Sequence, residues 1–287
     1  MSIEKSSRPN FVGIGWAALP QGYTFLRPPT QYRTEYMGIS DKNEWETILE
    51  IFTEASNGKF QHIELLPNLI RNSSDFHLKF AGLKLMGDAS TDSDVLALAD
   101  FFQDSDPDIR YASYSAAASS SNLNLIRELI QSTKSIKPGV ELELLSDSVS
   151  EVLEWSYDSI SEPVSYQEFR SISLDKIDEI ETRIGKNIPI MYGEILDIRN
   201  VVKKIGGILN IDNLSEYNDL AYDYISKFES MTGMISSDWF NEDESIQATN
   251  IQNSFNLFEK TNLYNSFLPG KRYFFSHPIP DNISNET

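Results

Sequence analysis

The sequence predicts an all-α fold, an α-solenoid of stacked helix pairs, on three observations. The first is the run Asp106-Pro107-Asp108-Ile109-Arg110-Tyr111-Ala112, continuing through Ser115-Ala116-Ala117-Ala118. An acidic turn precedes a proline that costs nothing in a first helical turn, because its missing N–H would have no partner there. Small residues a turn apart then let a neighbouring helix approach closely. The second observation is a 3.6-residue apolar period that begins at Asn43 and recurs along the chain. The third is self-similarity: Leu78-Lys79-Phe80-Ala81 aligns with Ile109-Arg110-Tyr111-Ala112 at a separation of 31 residues. Stacks of about three such units bury a continuous core and build binding surfaces.

The elements follow in order. Residues 1–42 read as an irregular, partly extended N-terminal cap, because Pro20, Pro28 and Pro29 stop any helix. Residues 43–160 carry the repeats. Trp45, Ile48, Leu49, Ile51 and Phe52 share one helical face, and Gly58 closes that helix. A second helix is expected over Phe60–Arg71 and a third over Phe76–Met86, capped by Asp75 and stopped by Gly87. A fourth opens near Asp92. Helices over Pro107–Ser119, Asn122–Ser132 and Val140–Trp155 complete the stack. Residues 161–287 form a further helical region, with a turn at Ser161-Glu162-Pro163 and helices over Asp175–Ile184, Tyr192–Lys204, Tyr217–Phe228 and Ile246–Phe258. Lys271-Arg272-Tyr273-Phe274-Phe275 reads as a strand or an aromatic anchor, and the polar tail from Asp281 as mobile.

Composition sets the limits on function. A chain that is 40% hydrophobic and 11% aromatic folds. Its net charge of −19 opposes nucleic acid and anionic membranes and favours a basic protein partner. With no cysteine there is no disulfide frame, thiolate zinc site or cysteine nucleophile. No stretch approaches 18 apolar residues, and the start Met1-Ser2-Ile3-Glu4-Lys5 lacks the form of a signal peptide, so the expected location is cytoplasmic.

No residue set points to catalysis, a cofactor or a metal. His62, His77 and His277 lack a partner at metal-ligand spacing, and no nucleophile elbow or Walker loop is present. The acids, in contrast, are gathered. Seven aspartates and no base lie between Asp88 and Asp108, and seven acids and no base between Glu141 and Glu162. Asp92, Asp106 and Asp108 are explained as helix caps. Asp94, Asp100, Asp104, Glu151, Glu154 and Asp158 are not, and they are the expected partner-binding residues. Tyr111, Tyr114 and Trp155 join them as aromatic anchors, with Tyr157 alongside.

The pattern around Ala81 and Ala112 resembles HEAT-like repeats over roughly residues 43–155. Size, acidity and a lone helical-repeat module also resemble immunity proteins of bacterial polymorphic toxin systems. Ile177-Asp178-Glu179-Ile180-Glu181-Thr182-Arg183-Ile184-Gly185, followed by Ile188-Pro189 and Tyr192, is similar to the opening helix and Leu-Pro turn of the SUKH (SMI1/KNR4-like) superfamily, although Asn200 leads into Val201-Val202-Lys203-Lys204 where that family has an Asn-Gly signature. These resemblances imply a non-catalytic protein that masks a toxin effector, often a basic nuclease. The alternatives are a scaffold or adaptor whose acidity serves solubility, and an acidic DNA mimic. A HEAT-fold glycosylase would need a basic groove that −19 does not suit.

Overall fold

The computed structural model describes residues 42–133, 136, 139–154, 165–209, 218–234, 239 and 246–281. The fold is all-α, with two short antiparallel hairpins among the described residues. The N-terminal cap (except its last residue, Lys42), the turn at 161–163, Trp155, Tyr157, Asp158 and the tail beyond Asp281 lie outside them.

Helix α1 (Lys42–Ala55) is followed by a 3-10 helix (Gln61–Leu65) that leads into α2 (Leu66–Asn72). The single helix expected over Phe60–Arg71 is split because Pro67 sits at the start of α2, where a proline belongs. Helix α3 (Phe76–Ala89) runs through Gly87 instead of ending there. A Cβ at Gly87 would lie 2.3 Å from the Ala116 carbonyl oxygen, so this glycine serves the close approach of α3 to α4 (Pro107–Ser119). Between them Asp94–Phe101 forms a 3-10 helix. Helix α5 spans Leu123–Ser132, α6 Val140–Leu153 and α7 Tyr166–Ile184, the last much longer than its expected Asp175–Ile184.

The 31-residue similarity extends to the capping groups. Asp75 Oδ1 accepts from Leu78 N at 3.2 Å, and Asp106 Oδ1 from Asp108 N at 3.0 Å. Thr91 Oγ1 accepts from Asp94 N at 3.1 Å, as Asn122 Oδ1 accepts from Leu125 N at 3.2 Å. Packing follows two layers: α3 lies on α1, α2 and α4, and α4 on α6, while the 3-10 helix lies on α5 and α5 on α7. One hydrophobic cluster runs through this stack from Trp45 to Ile190 and takes in Phe274 and Ile279; a second runs from Met191 to Tyr273.

The segment expected as a helix over Tyr192–Lys204 begins as a hairpin, β1 (Ile190–Met191) with β2 (Glu194–Ile195), and α8 (Ile198–Ile208) starts only after the Asp197 cap. Helices α9 (Asn218–Thr232) and α10 (Ala248–Phe258) precede a second hairpin, β3 (Tyr273–Phe274) with β4 (His277–Pro278). The two hairpins repeat one device. Each has a two-residue turn with both residues at positive φ, Tyr192-Gly193 (48° and 71°) and Phe275-Ser276 (48° and 71°), which matches the right-handed twist of the flanking strands. Each closes with one further backbone bond, Leu196 N to Pro189 O at 2.8 Å and Ile279 N to Arg272 O at 3.0 Å.

Each turn also caps a helix. Tyr192 N and Gly193 N donate to the carbonyls of Glu151 and Val152 at the end of α6, at 2.7 and 2.8 Å. Phe275 N and Ser276 N donate to Ser230 and Met231 at the end of α9, at 2.8 and 2.6 Å. Carbonyls that a helix leaves without an internal partner are thereby satisfied from a distant part of the chain. The residue past each helix is left-handed: Glu154 (φ 57°) after α6 and Gly233 (φ 71°) after α9.

Candidate interaction surface

Of the residues singled out between 94 and 111, the fold occupies most for its own purposes. Asp94 Oδ2 accepts from Thr91 Oγ1 at 2.6 Å, closing the turn that opens the 3-10 helix. Asp100 is exposed but ion-paired with Arg71. Asp104 Oδ1 accepts from Asp106 N at 2.9 Å. Tyr111 is half-buried beside Arg110. Tyr114, expected as a contact residue, is a core residue at 1% exposure; its hydroxyl donates to the Phe102 carbonyl, and burial removes it from any partner. Burial also pushes its pKa above the ordinary phenol value, with Glu141 adding to the effect. Arg110 joins the two acidic stretches: its Nη1 donates to Asp104 O at 2.7 Å, and its Nε pairs with Glu141 at 3.2 Å.

The second stretch behaves differently. Glu143, Asp147, Glu151 and Glu154 recur every three or four residues along α6, so they fall on one helical stripe. Glu143, Asp147 and Glu154 are exposed and Glu151 partly so. Like charges at this spacing oppose one another, by roughly 0.2–0.5 kcal/mol per pair. Glu141 and Glu143 at least favour the positive end of the helix dipole. Glu151 and Glu154 sit at the negative end, where an acid is disfavoured. Glu154 in addition holds a left-handed conformation that costs a side-chain-bearing residue about 1–2 kcal/mol. Helix formation explains neither residue.

The first hairpin and α9 bring more acid to the same end. A Cβ on Gly193 would lie 3.4 Å from Glu154 Cβ and from its Oε2, so the Tyr192-Gly193 turn rests directly on Glu154. Glu194 follows, exposed, with Lys204 at 3.9 Å. Tyr192 donates through its hydroxyl to Asp223 Oδ2 of α9 at 2.5 Å, and its ring lies 5.1 Å from that of Tyr224. Burial raises the Tyr224 pKa, and the carboxylates of Glu194, Glu154, Asp223 and Glu151 raise it further. Tyr192 is raised in the same way by burial, Asp223 and Glu151. Four acids from three separate chain segments thus surround two tyrosines.

The arrangement can attract and orient a cation. Exposed Glu154 and Glu194 form a rim, half-buried Asp223 and Glu151 a deeper layer, and Tyr192 an aromatic wall of the kind cationic side chains approach. Among the described residues no group of three or more His, Asp or Glu is placed to hold a metal ion. His62 pairs with Glu54 at 2.5 Å, and His277 lies on β4 against Gly58. The side chain of His77 lies outside the described residues.

Sequence reasoning picked out Glu151 and Glu154 but missed Tyr192, Glu194, Asp223 and Tyr224. The one available signal was the Tyr192-Gly193 pair after Pro189, a turn signature read there as the start of a helix. Among the described residues no helix is long and apolar enough to cross a membrane. No family model, curated relative or solved structure matches the chain.

Proposed function

We propose that the protein is a stoichiometric, non-catalytic inhibitor of the immunity type, which binds a basic toxin effector in the cytoplasm and covers its active or substrate-binding face. The observation that carries this reading is the placement of Glu151 and Glu154. Both are acids at the wrong end of a helix dipole, one in a disfavoured backbone conformation, joined there by Glu194 and Asp223. A surface held against local stability is one retained for contact. Summed over the stripe on α6 and a net charge of −19, its field raises the local concentration and association rate of a cationic partner. The resemblance to immunity proteins supplies the class of partner; the acids supply its sign.

The test is affinity capture from the cells that make the protein, at low and high salt, with wild type and a Glu154→Gln/Glu194→Gln variant. The expected result is one basic protein in equal stoichiometry, weakened by salt and by the variant, whose toxicity co-expression suppresses. A set of housekeeping proteins bound equally at both salts and by both proteins would reject the reading in favour of an adaptor.

A further inference from the structure

The bases of the two hairpins and two turns of the stack line a cleft of about 540 Å³, within the size range of ligand clefts. The stack contributes Asp92 and Ser93, ahead of the 3-10 helix, and Asn122 and Asn124 at the start of α5. The hairpins contribute residues 187–189 ahead of β1, and residues 270–272 and 279–281 on either side of the second hairpin. Gly270 N donates to Leu196 O at 2.8 Å and so joins the two hairpins; a Cβ at Gly270 would lie 3.3 Å from Ile188 Cγ2. The charged lining residues cancel, because Lys271 pairs with Asp281 at 2.9 Å and Arg272 with Asp92 at 3.5 Å. In a chain at −19 this cleft is locally neutral, unlike the surface around Glu154.

Three carboxamides remain. Asn122 Oδ1 caps α5, accepting from Asn124 N and Leu125 N at 3.0 and 3.2 Å, and Asn124 Nδ2 donates to Asn187 Oδ1 at 2.9 Å. Asn122 Nδ2, Asn124 Oδ1 and Asn187 Nδ2 make no hydrogen bond within the protein, which leaves two donor groups and an acceptor for a ligand. Backbone strain gathers at the same place. Among the described residues, the side-chain-bearing residues at positive φ are Tyr192, Phe275 and Ser276 of the hairpin turns, Glu154, and two more: Ser121 (58°), next to Asn122, and Asn187 (60°). Ser121 also keeps a buried hydroxyl without a partner. Strain of this kind persists where the surroundings enforce it, and it clusters at ligand sites.

We propose that this cleft binds an extended, uncharged polypeptide segment through its main chain. A carboxamide carries a donor and an acceptor side by side, the same pair that each peptide unit presents, so the three asparagines match a backbone in both roles. Main-chain hydrogen bonds of this kind supply affinity without demanding one sequence. The neutral lining offers a charged ligand no unpaired counter-charge. No aromatic ring is among the lining residues, so a base or a sugar finds no face to stack on, while Ile188, Pro189, Ile279 and Pro280 give apolar contact to a peptide's side chains. None of these residues belongs to the acidic surface, and the site stands independently of the inhibitor reading.

Panning a display library of random peptides on the full chain, at high salt to screen the acidic surface, tests the site. Asn122→Asp keeps the oxygen that caps α5 and loses only the Nδ2 donors. Asn187→Gly loses a carboxamide and relieves a left-handed side chain. Enriched peptides are expected to bind each variant about three- to tenfold more weakly than wild type, although both variants unfold in urea near the wild-type midpoint. N-methylation of main-chain amides in an enriched peptide should weaken its binding to wild type, a readout that needs no variant. Glu154→Gln/Glu194→Gln should bind these peptides unchanged. No enrichment over panning without the protein, equal binding by the asparagine variants, or indifference to N-methylation would each overturn the proposal. Basic peptides lost with Glu154→Gln/Glu194→Gln would overturn it too, while leaving the inhibitor reading standing. An oligosaccharide from a glycan array held by wild type and lost in Asn122→Asp would assign the cleft to another ligand and overturn the proposal.

Discussion

At Tyr192-Gly193 and at Phe275-Ser276 the backbone does the same thing, since in both places a tight turn with two left-handed residues caps the end of a helix with two N–H groups. The side chains differ. Phe275 packs edge-on to Phe52 at 5.3 Å and beside Phe274 at 4.7 Å, and Ser276 Oγ donates to Thr232 O at 2.8 Å. Every group there serves the core. Tyr192, in the equivalent position, faces Asp223 and Tyr224 within an acidic setting open to solvent at Glu154 and Glu194. At the left-handed position after the helix, the second copy has Gly233 and the first has Glu154. The left-handed position after the helix is therefore met by glycine in one copy and by an exposed carboxylate in the other, while the acid in the last turn of α9, Glu229, is buried.

Four substitutions sharpen this contrast, in descending order of expected effect. Phe274→Ala, at a side chain with 0% exposure, is expected to cost about 3–5 kcal/mol in urea unfolding. Gly233→Ala should cost about 2–4 kcal/mol, because a Cβ at positive φ is strained and would lie 2.6 Å from the Phe275 ring. Tyr192→Phe removes the donor to Asp223 and is expected to cost about 1–3 kcal/mol, read from the same unfolding curves. Glu154→Gln should instead stabilise, by about 0.3–1 kcal/mol, since it lifts a negative charge from a helix C-terminus. Equal losses at Gly233 and Glu154 would erase the difference between the two copies.

What could be read from the sequence was what local chemistry decides. Asp106-Pro107, Asn122 and Gly185 mark helix ends through groups within three or four residues, and those ends are where they were expected, although the helix that Gly185 closes starts nine residues earlier, at Tyr166. Gly87 misled because its function is non-local: it admits the Ala116 carbonyl of the next helix. The strand expected over Lys271–Phe275 is there, as β3, but the two tight turns were hidden for the same reason. Neither turn carries the Asn-Gly or Asp-Gly signal, and both are held by carbonyls of helices far away in the chain. For the acids, excluding helix caps left Glu151 and Glu154, whose neighbours in the first hairpin and α9 become evident only in three dimensions. It also left Asp94, Asp100 and Asp104, whose intramolecular partners Thr91, Arg71 and Asp106 N become evident only in three dimensions. Asp223 and Tyr224 could not be associated with Glu154 before Tyr192 of the first hairpin was placed between α9 and the end of α6.

The most direct measurement is the unfolding free energy of Glu154→Gly in urea at neutral pH. If the glutamate is retained for a partner and not for the fold, its exchange for the residue found at the equivalent position should stabilise the chain by about 1 kcal/mol, the relief of a left-handed side chain and a misplaced charge net of added chain entropy. A loss of stability would mean that Glu154 holds the hairpin in place, and the surface would then have a structural explanation.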